Sequence, residues 1–144
     1  RTTFITGFPG ETEEQFDRLM AFLKDVEFDR MGAFAYSAEE DTPAARMDGQ
    51  VPQEVKEERL DRLMRAQQEI SLKRNRLRVG QTVRALVQSV RAGGVGVARS
   101  QAEAPETDGT IKVSGVNEGD LGGFITVRLT GAKPYDLVGE RVEE

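Results

Sequence analysis

With 144 residues and 38% hydrophobic content, the chain can bury one modest core or two small ones, and disorder is not the default expectation. Its 20 basic and 25 acidic residues give a net charge of −5, so it is no general electrostatic adhesive for nucleic acid, and an RNA contact would need a local basic patch. Cys and His are both absent, which removes thiolate and imidazole chemistry, ordinary zinc sites and iron–sulfur ligation from these residues.

The chain opens on a β-rich stretch, Thr2 to Thr6, as if a strand were entered midway through a longer protein. The turn Gly7-Phe8-Pro9-Gly10 leads to a predicted helix over Thr12 to Val26. Thr12 and Gln15 form a capping box, Glu11, Glu13 and Glu14 suit the positive helix end, and Phe16, Leu19, Met20, Leu23 and Val26 recur at helical spacing. A second strand is expected over Met31 to Tyr36, and strand, helix and strand of these lengths make a βαβ unit with parallel strands. Such a unit alone leaves a sheet edge open and apolar surface uncovered, so further strands are expected before Arg1.

Pro52 then opens a long helix ending near Val79, with Gly80 at its C-terminal stop and Leu60, Leu63, Met64, Ile70 and Leu77 as its apolar stripe. Its early Glu54, Glu57, Glu58 and Asp61 and its late Lys73, Arg74, Arg76 and Arg78 complement the helix dipole without any partner; the alternative is an RNA-facing basic patch. From Gly80 the composition shifts to Gly-punctuated runs of β-branched residues: Thr82 to Val90, Val95 to Arg99, Thr110 to Val113, Phe124 to Thr130 and Asp136 to Val142. Five short strands of this kind predict a small closed barrel. Lack of Cys fits a reducing compartment, and no apolar run approaches the ~20 residues of a membrane span, so a soluble cytoplasmic protein is expected.

Backbone amides and a helix dipole converge on Gly7-Phe8-Pro9-Gly10-Glu11-Thr12, a corner able to take a polar ligand or simply to make a tight βα turn. A phosphate loop does not fit, because Gly-Lys-Ser/Thr is missing and three glutamates follow. The segment Arg1 to Thr12 resembles the fifth-strand region of radical S-adenosylmethionine methylthiotransferases, where the superfamily pattern G-x-I-x-G-x-x-E packs near the cofactor adenine. Ile5 and Gly7 match it; Thr3 replaces the first Gly and Glu11 falls one residue late. Phe28 to Ser37, followed by Glu39-Glu40-Asp41-Thr42-Pro43, is similar to the sixth strand and exit loop of that family. By this resemblance Ile5, Gly7, Phe34, Ala35 and Tyr36 are the candidates for the adenine region, although an aromatic core strand would look alike.

Residues Val79 to Val142 resemble a TRAM domain, an OB-like barrel of RNA-modifying enzymes, through Gly80, Gly119-Asp120 before Phe124 to Arg128, and Tyr135 to Glu140. Acidic residues outnumber basic ones in this module, which favours docking on a basic protein over gripping phosphates. Its Ala-Pro-Glu-Thr-Asp-Gly loop resembles the RimO type, acting on an aspartate of the small-subunit ribosomal protein uS12, rather than the MiaB type, acting on tRNA adenosine. Glu103, Glu106 and Asp108 are therefore the expected docking residues, with a solvated Asp-Gly turn as the plain alternative.

The implied architecture is an α/β fragment of a TIM-type radical barrel (1–51), a connector helix (52–79) and a five-stranded TRAM barrel (80–144). The resemblance further implies two 4Fe-4S clusters and S-adenosylmethionine in a complete enzyme, where a radical abstracts hydrogen from the aspartate β-carbon and a methylthio group is inserted. The cluster cysteines are not in this chain, so no catalytic residue is assigned within it and the fragment alone is expected to be inactive. The expected partner of the TRAM domain is uS12, with a ribosomal RNA or tRNA contact also open, and the rival reading is a stand-alone TRAM module that binds RNA or protein.

Overall fold

The computed structural model describes residues 1–143; Glu144, the last residue of the expected 80–144 domain, lies outside them. The chain divides into two units, the first Arg1–Ser71 and the second starting at Leu72. In the first unit, β1 (Thr2–Thr6), α1 (Glu13–Val26) and β2 (Met31–Ala35) form the βαβ arrangement, with β1 and β2 parallel. The capping box on α1 is formed: the Thr12 side chain accepts from Gln15 N–H at 3.1 Å, and the Gln15 side chain accepts from Thr12 N–H at 3.0 Å. Glu27 in left-handed backbone ends the helix. Tyr36 lies just past β2, yet its N–H still donates to Thr6 O at 2.8 Å and prolongs the ladder.

One face of this two-stranded sheet is covered. Phe16 and Leu23 of α1, Met31 of β2, and Leu63 and Ile70 of the long helix α2 (Gln53–Arg78) form the core, with Phe4, Phe28 and Ala33 against it. Side chains alternate across a strand, so Thr3, Ile5, Gly32 and Phe34 belong to the other face, and there Ile5 and Phe34 are exposed register partners.

The buried side of α2 differs from the apolar stripe expected. It carries Lys56, Arg59, Gln67, Ser71 and Asn75 among Leu63 and Ile70, whereas Leu77 is 62% exposed. The polar members are held by hydrogen bonds: Lys56 Nζ donates to Tyr36 O at 2.9 Å, and Gln67 Nε2 to Phe28 O at 2.8 Å and Ser71 Oγ at 2.9 Å. These bonds offset part of the cost of burial, although Gln67 Oε1 and Arg59 Nε are buried without a partner, and the spacing of three and four still marks one helical face.

The second unit is a closed barrel of β3 (Thr82–Arg91), β4 (Val95–Arg99), β5 (Ile111–Ser114), β6 (Phe124–Ala132) and β7 (Leu137–Arg141), in the order β3-β4-β5-β7-β6. All neighbours are antiparallel except β5 and β7. Closure removes free edges, and bulges at Val87/Ser89 and Leu129/Gly131 bend the strands. Alternate residues Ala85, Val87, Ile111, Val113, Ile125, Val127 and Leu129 point inward and fill the barrel with Val116 and Leu137. Gly139 completes this packing, since a β-carbon there would lie 2.5 Å from Val127 Cγ1.

Candidate functional site

In the first unit the residues matched to the adenine region gather at the C-terminal ends of β1 and β2, where parallel sheets place their ligands. Ile5 is 59% and Phe34 64% exposed, side by side on the uncovered face. Ala35 is partly buried and paired with Thr6. The Tyr36 ring meets Phe8 edge-on at 5.4 Å and lies 5.6 Å from Lys56 Nζ.

Gly7 is in left-handed backbone at φ 79°, and a β-carbon on it would sit 2.3 Å from Lys56 Cγ. A larger residue at this position would strike the protein's own lysine stem before any ligand.

Glu11 holds the turn together. Its Oε1 accepts from Gly7 N–H at 3.0 Å, from Thr6 Oγ1 at 3.0 Å and from Arg59 Nη1 at 2.9 Å, and both ionic partners are largely buried. A carboxylate with three donors at the strand end is a clasp between β1 and α2, with its near oxygen already committed. Farther out, Glu13 pairs with Arg62, whose hydrogen bond lowers the Glu13 pKa.

Among the described residues no three His, Cys, Asp or Glu side chains converge as metal ligands, and the sequence holds no Cys. These donors do not fit an iron–sulfur cluster, and no step of cluster chemistry runs through them. What the strand ends offer is an apolar surface of Ile5 and Phe34 able to lie against a flat ring.

In the second unit the loop after β4 departs from expectation. Glu103 is not a solvated docking acid: it is 2% exposed, ion-paired with Arg78, and accepts through Oε2 from Ser100 Oγ at 2.6 Å and Ser100 N–H at 2.8 Å. Burial raises its pKa, but the hydrogen bonds from Arg78 and Ser100 outweigh that, and the carboxyl lies below its ordinary value. Asp108 is partly buried and accepts from Ala104 N–H at 2.8 Å, bracing its own loop. Of the three acids only Glu106 stands exposed, in left-handed backbone at φ 60°. Desolvating an acid needs donors close at hand, and Arg78, far off in sequence, is one that spacing could not reveal.

The barrel also carries a cleft of about 660 Å³ that the sequence reading missed, with Arg78, Arg84, Leu86, Arg99 and Phe124 in its walls. Alternation was the available signal: in β3 and β6, Ala85, Val87, Ile125 and Val127 point inward, which turns Arg84, Leu86 and Phe124 outward. Only the pairing of β3 with β4 and β6 brings these positions together, with Leu86 opposite both Arg99 and Phe124.

Comparison with known proteins agrees with both units. Residues 79–142 match the TRAM domain family. Three proteins named ribosomal protein uS12 methylthiotransferase RimO match nearly all of the chain. That of Desulfitobacterium hafniense is 47% identical over 143 residues, covering 99% of this chain and 32% of its own length. That of Heliobacterium modesticaldum is 50% identical over 144 residues, 100% of this chain and 31% of its own. That of Desulforudis audaxviator is 52% identical over 137 residues, 95% of this chain and 30% of its own. The chain thus spans about a third of the length of the curated relatives it matches. By sequence, the chain is similar over nearly its whole length to proteins named ribosomal protein uS12 methylthiotransferase RimO, and residues 79–142 match the TRAM domain family.

Proposed function

We propose that this chain is the C-terminal portion of a cytoplasmic uS12 methylthiotransferase: the last strands of its radical barrel (1–51), a connector helix (52–79) and a TRAM domain (80–144). The observation that carries this reading is identity of about one residue in two, sustained from the βαβ unit through the barrel. The bare sheet face supports it physically. Ile5 and Phe34 are large apolar residues on the bare face of a two-stranded sheet, a surface that closure into a barrel with further parallel strands would enclose.

In the complete enzyme, Ile5 and Phe34 would lie against the adenine of S-adenosylmethionine, with Ala35 and Tyr36 shaping the rim and Gly7 letting the turn pass over Lys56. When bound, S-adenosylmethionine would supply radical chemistry at the substrate aspartate. The residues of this chain bind and orient it, and the clusters are held by residues elsewhere in the protein. The experiment is to incubate the complete, cluster-reconstituted enzyme with uS12 and S-adenosylmethionine under reducing conditions and to read the substrate by mass spectrometry. A methylthio group on a uS12 aspartate is expected. Methylthiolation of a tRNA adenosine with uS12 untouched would move the assignment to the MiaB type, and modification of neither would leave a binding module.

A further inference from the structure

Two side chains near the start of α2, Lys56 and Arg59, reach the ends of both strands that carry Ile5 and Phe34. They stand three residues apart, on one face of the helix. Arg59 Nη1 donates to Glu11 O at 3.1 Å and to Glu11 Oε1 at 2.9 Å, and that carboxylate in turn holds Thr6 and Gly7, next to Ile5. Lys56 Nζ donates to Tyr36 O at 2.9 Å, two residues beyond Phe34. The Tyr36 hydroxyl is buried with no hydrogen-bond partner, so past the end of β2 this residue is held by its ladder bond to Thr6, by Lys56 and by packing. Lys56 is 9% exposed, and among the described residues no carboxylate pairs with it. A cation in the first turn also opposes the helix dipole. An apolar side chain would serve packing alone at lower cost, so the ammonium at this position calls for another reason.

We propose that Lys56 and Arg59 are positioning residues for S-adenosylmethionine: without touching it, they pin the two strand ends from one turn of helix, so that Ile5 and Phe34 present a preformed surface to the adenine. The identity of the ligand rests on the methylthiotransferase reading. A flat ring gains contact with both side chains only if they lie level, and a ladder is least constrained at its end. Lys56 fixes the end of β2 through a carbonyl, and Arg59 fixes the end of β1 through Glu11, so a shift of one strand against the other strains a bond to the same helix. A surface ordered in advance spares the ligand the cost of ordering it. Gly7 belongs to this device, because the β-carbon it lacks would meet the Lys56 stem on its way to Tyr36.

The test uses the complete, cluster-reconstituted enzyme, first without reductant, with binding of labelled S-adenosylmethionine read by equilibrium dialysis, and then under turnover with uS12. Lys56→Met keeps an unbranched stem beside Gly7 and removes the ammonium, a change the buried face should tolerate without unfolding. It should weaken S-adenosylmethionine binding ~5- to 10-fold and raise the KM for S-adenosylmethionine to match, with kcat at saturation and the KM for uS12 within ~2-fold of wild type. Hydrogen exchange in the peptide from Phe34 to Glu40 should quicken in the same variant. Lys56→Arg, which can still donate to the Tyr36 carbonyl, should recover most of the affinity. Arg59→Lys should act in the same direction at the other strand, with faster exchange from Ile5 to Glu11. Arg62→Gln breaks the ion pairs with Glu13 and Glu58 farther along the helix, reaches neither strand end, and should leave the affinity unchanged. Wild-type affinity in both Lys56→Met and Arg59→Lys, an equal loss in Arg62→Gln, or a lowered kcat with affinity intact would each overturn the proposal. A wild-type enzyme that binds S-adenosylmethionine but leaves uS12 unmodified would sink the uS12 reading alone, since the binding comparison among variants still decides the roles of Lys56 and Arg59. One that binds no S-adenosylmethionine would end both.

Discussion

Glu103 shows how one residue changes role between sequence and structure. In the sequence it is one of three acids in a turn-rich loop, expected to dock a partner or to sit in a solvated turn. In the barrel it is a buried anion with donors from Arg78 and Ser100. Glu103→Lys should therefore unfold or strongly destabilise the second unit. Glu103→Ala should cost ~1–3 kcal/mol, less than a fully buried pair because Arg78 still reaches water. Glu106→Lys, at an exposed position, should change stability by under ~0.5 kcal/mol. The same carboxylate gives a pH dependence. Its folded pKa is depressed, so as pH falls below the ordinary value of 4.5 the unfolded chain takes up the proton first, and stability is lost down through the folded pKa. Thermal melts over the acid range should show this loss in wild type and a flatter limb in Glu103→Gln. Parallel acid limbs would remove Glu103 from the account.

At the scale of elements, the turn between β1 and α1 depends on α2. Gly7 needs its left-handed backbone and the room left by Lys56, and Glu11 closes the turn through Arg59. Gly7→Val should lower stability by ~2 kcal/mol or more, from backbone strain together with the clash. Lys56→Ala removes the clashing Cγ and Cδ, so in a double-mutant cycle it should recover part of the loss on Gly7→Ala, leaving the φ penalty behind. Chemical denaturation of the four proteins measures the coupling, and simple additivity would mean that Lys56 does not crowd the glycine. The helix itself was legible in its extent, with Pro52 before it and Gly80 after it, but its buried face was not. Leu77 suggested a stripe by its apolarity alone and is exposed, while Gln67 and Asn75 lie inside because Phe28 O, Lys133 O and Pro134 O accept from them.

For the molecule as a whole, the two units differ in completeness. The barrel closes on itself and buries its core, whereas the βαβ unit covers only one side of its sheet. Ile5→Thr with Phe34→Thr should leave the melting temperature of the 144-residue chain nearly unchanged and reduce its binding of a hydrophobic dye. In the complete enzyme the same pair should weaken the cofactor or the barrel, since each large apolar side chain contributes ~1.5–3 kcal/mol once fully buried. A marked drop in melting temperature of the chain alone would show that this face is already part of a core.

The sequence by itself determined the order and type of the elements, because capping, hydrophobic period and glycine stops are local and act within a few residues. It gave β1, α1 and β4 almost to the residue, and the five strands of the barrel within about two residues at either end. It carried the family resemblance for the same reason, since motifs are local. Only the tertiary structure decided which acids face water and which positions form a surface. Arg78 and Glu103, or Arg84, Arg99 and Phe124, meet through strand pairing and helix packing between residues distant in sequence, and burial or exposure of a charge is set by those distant partners.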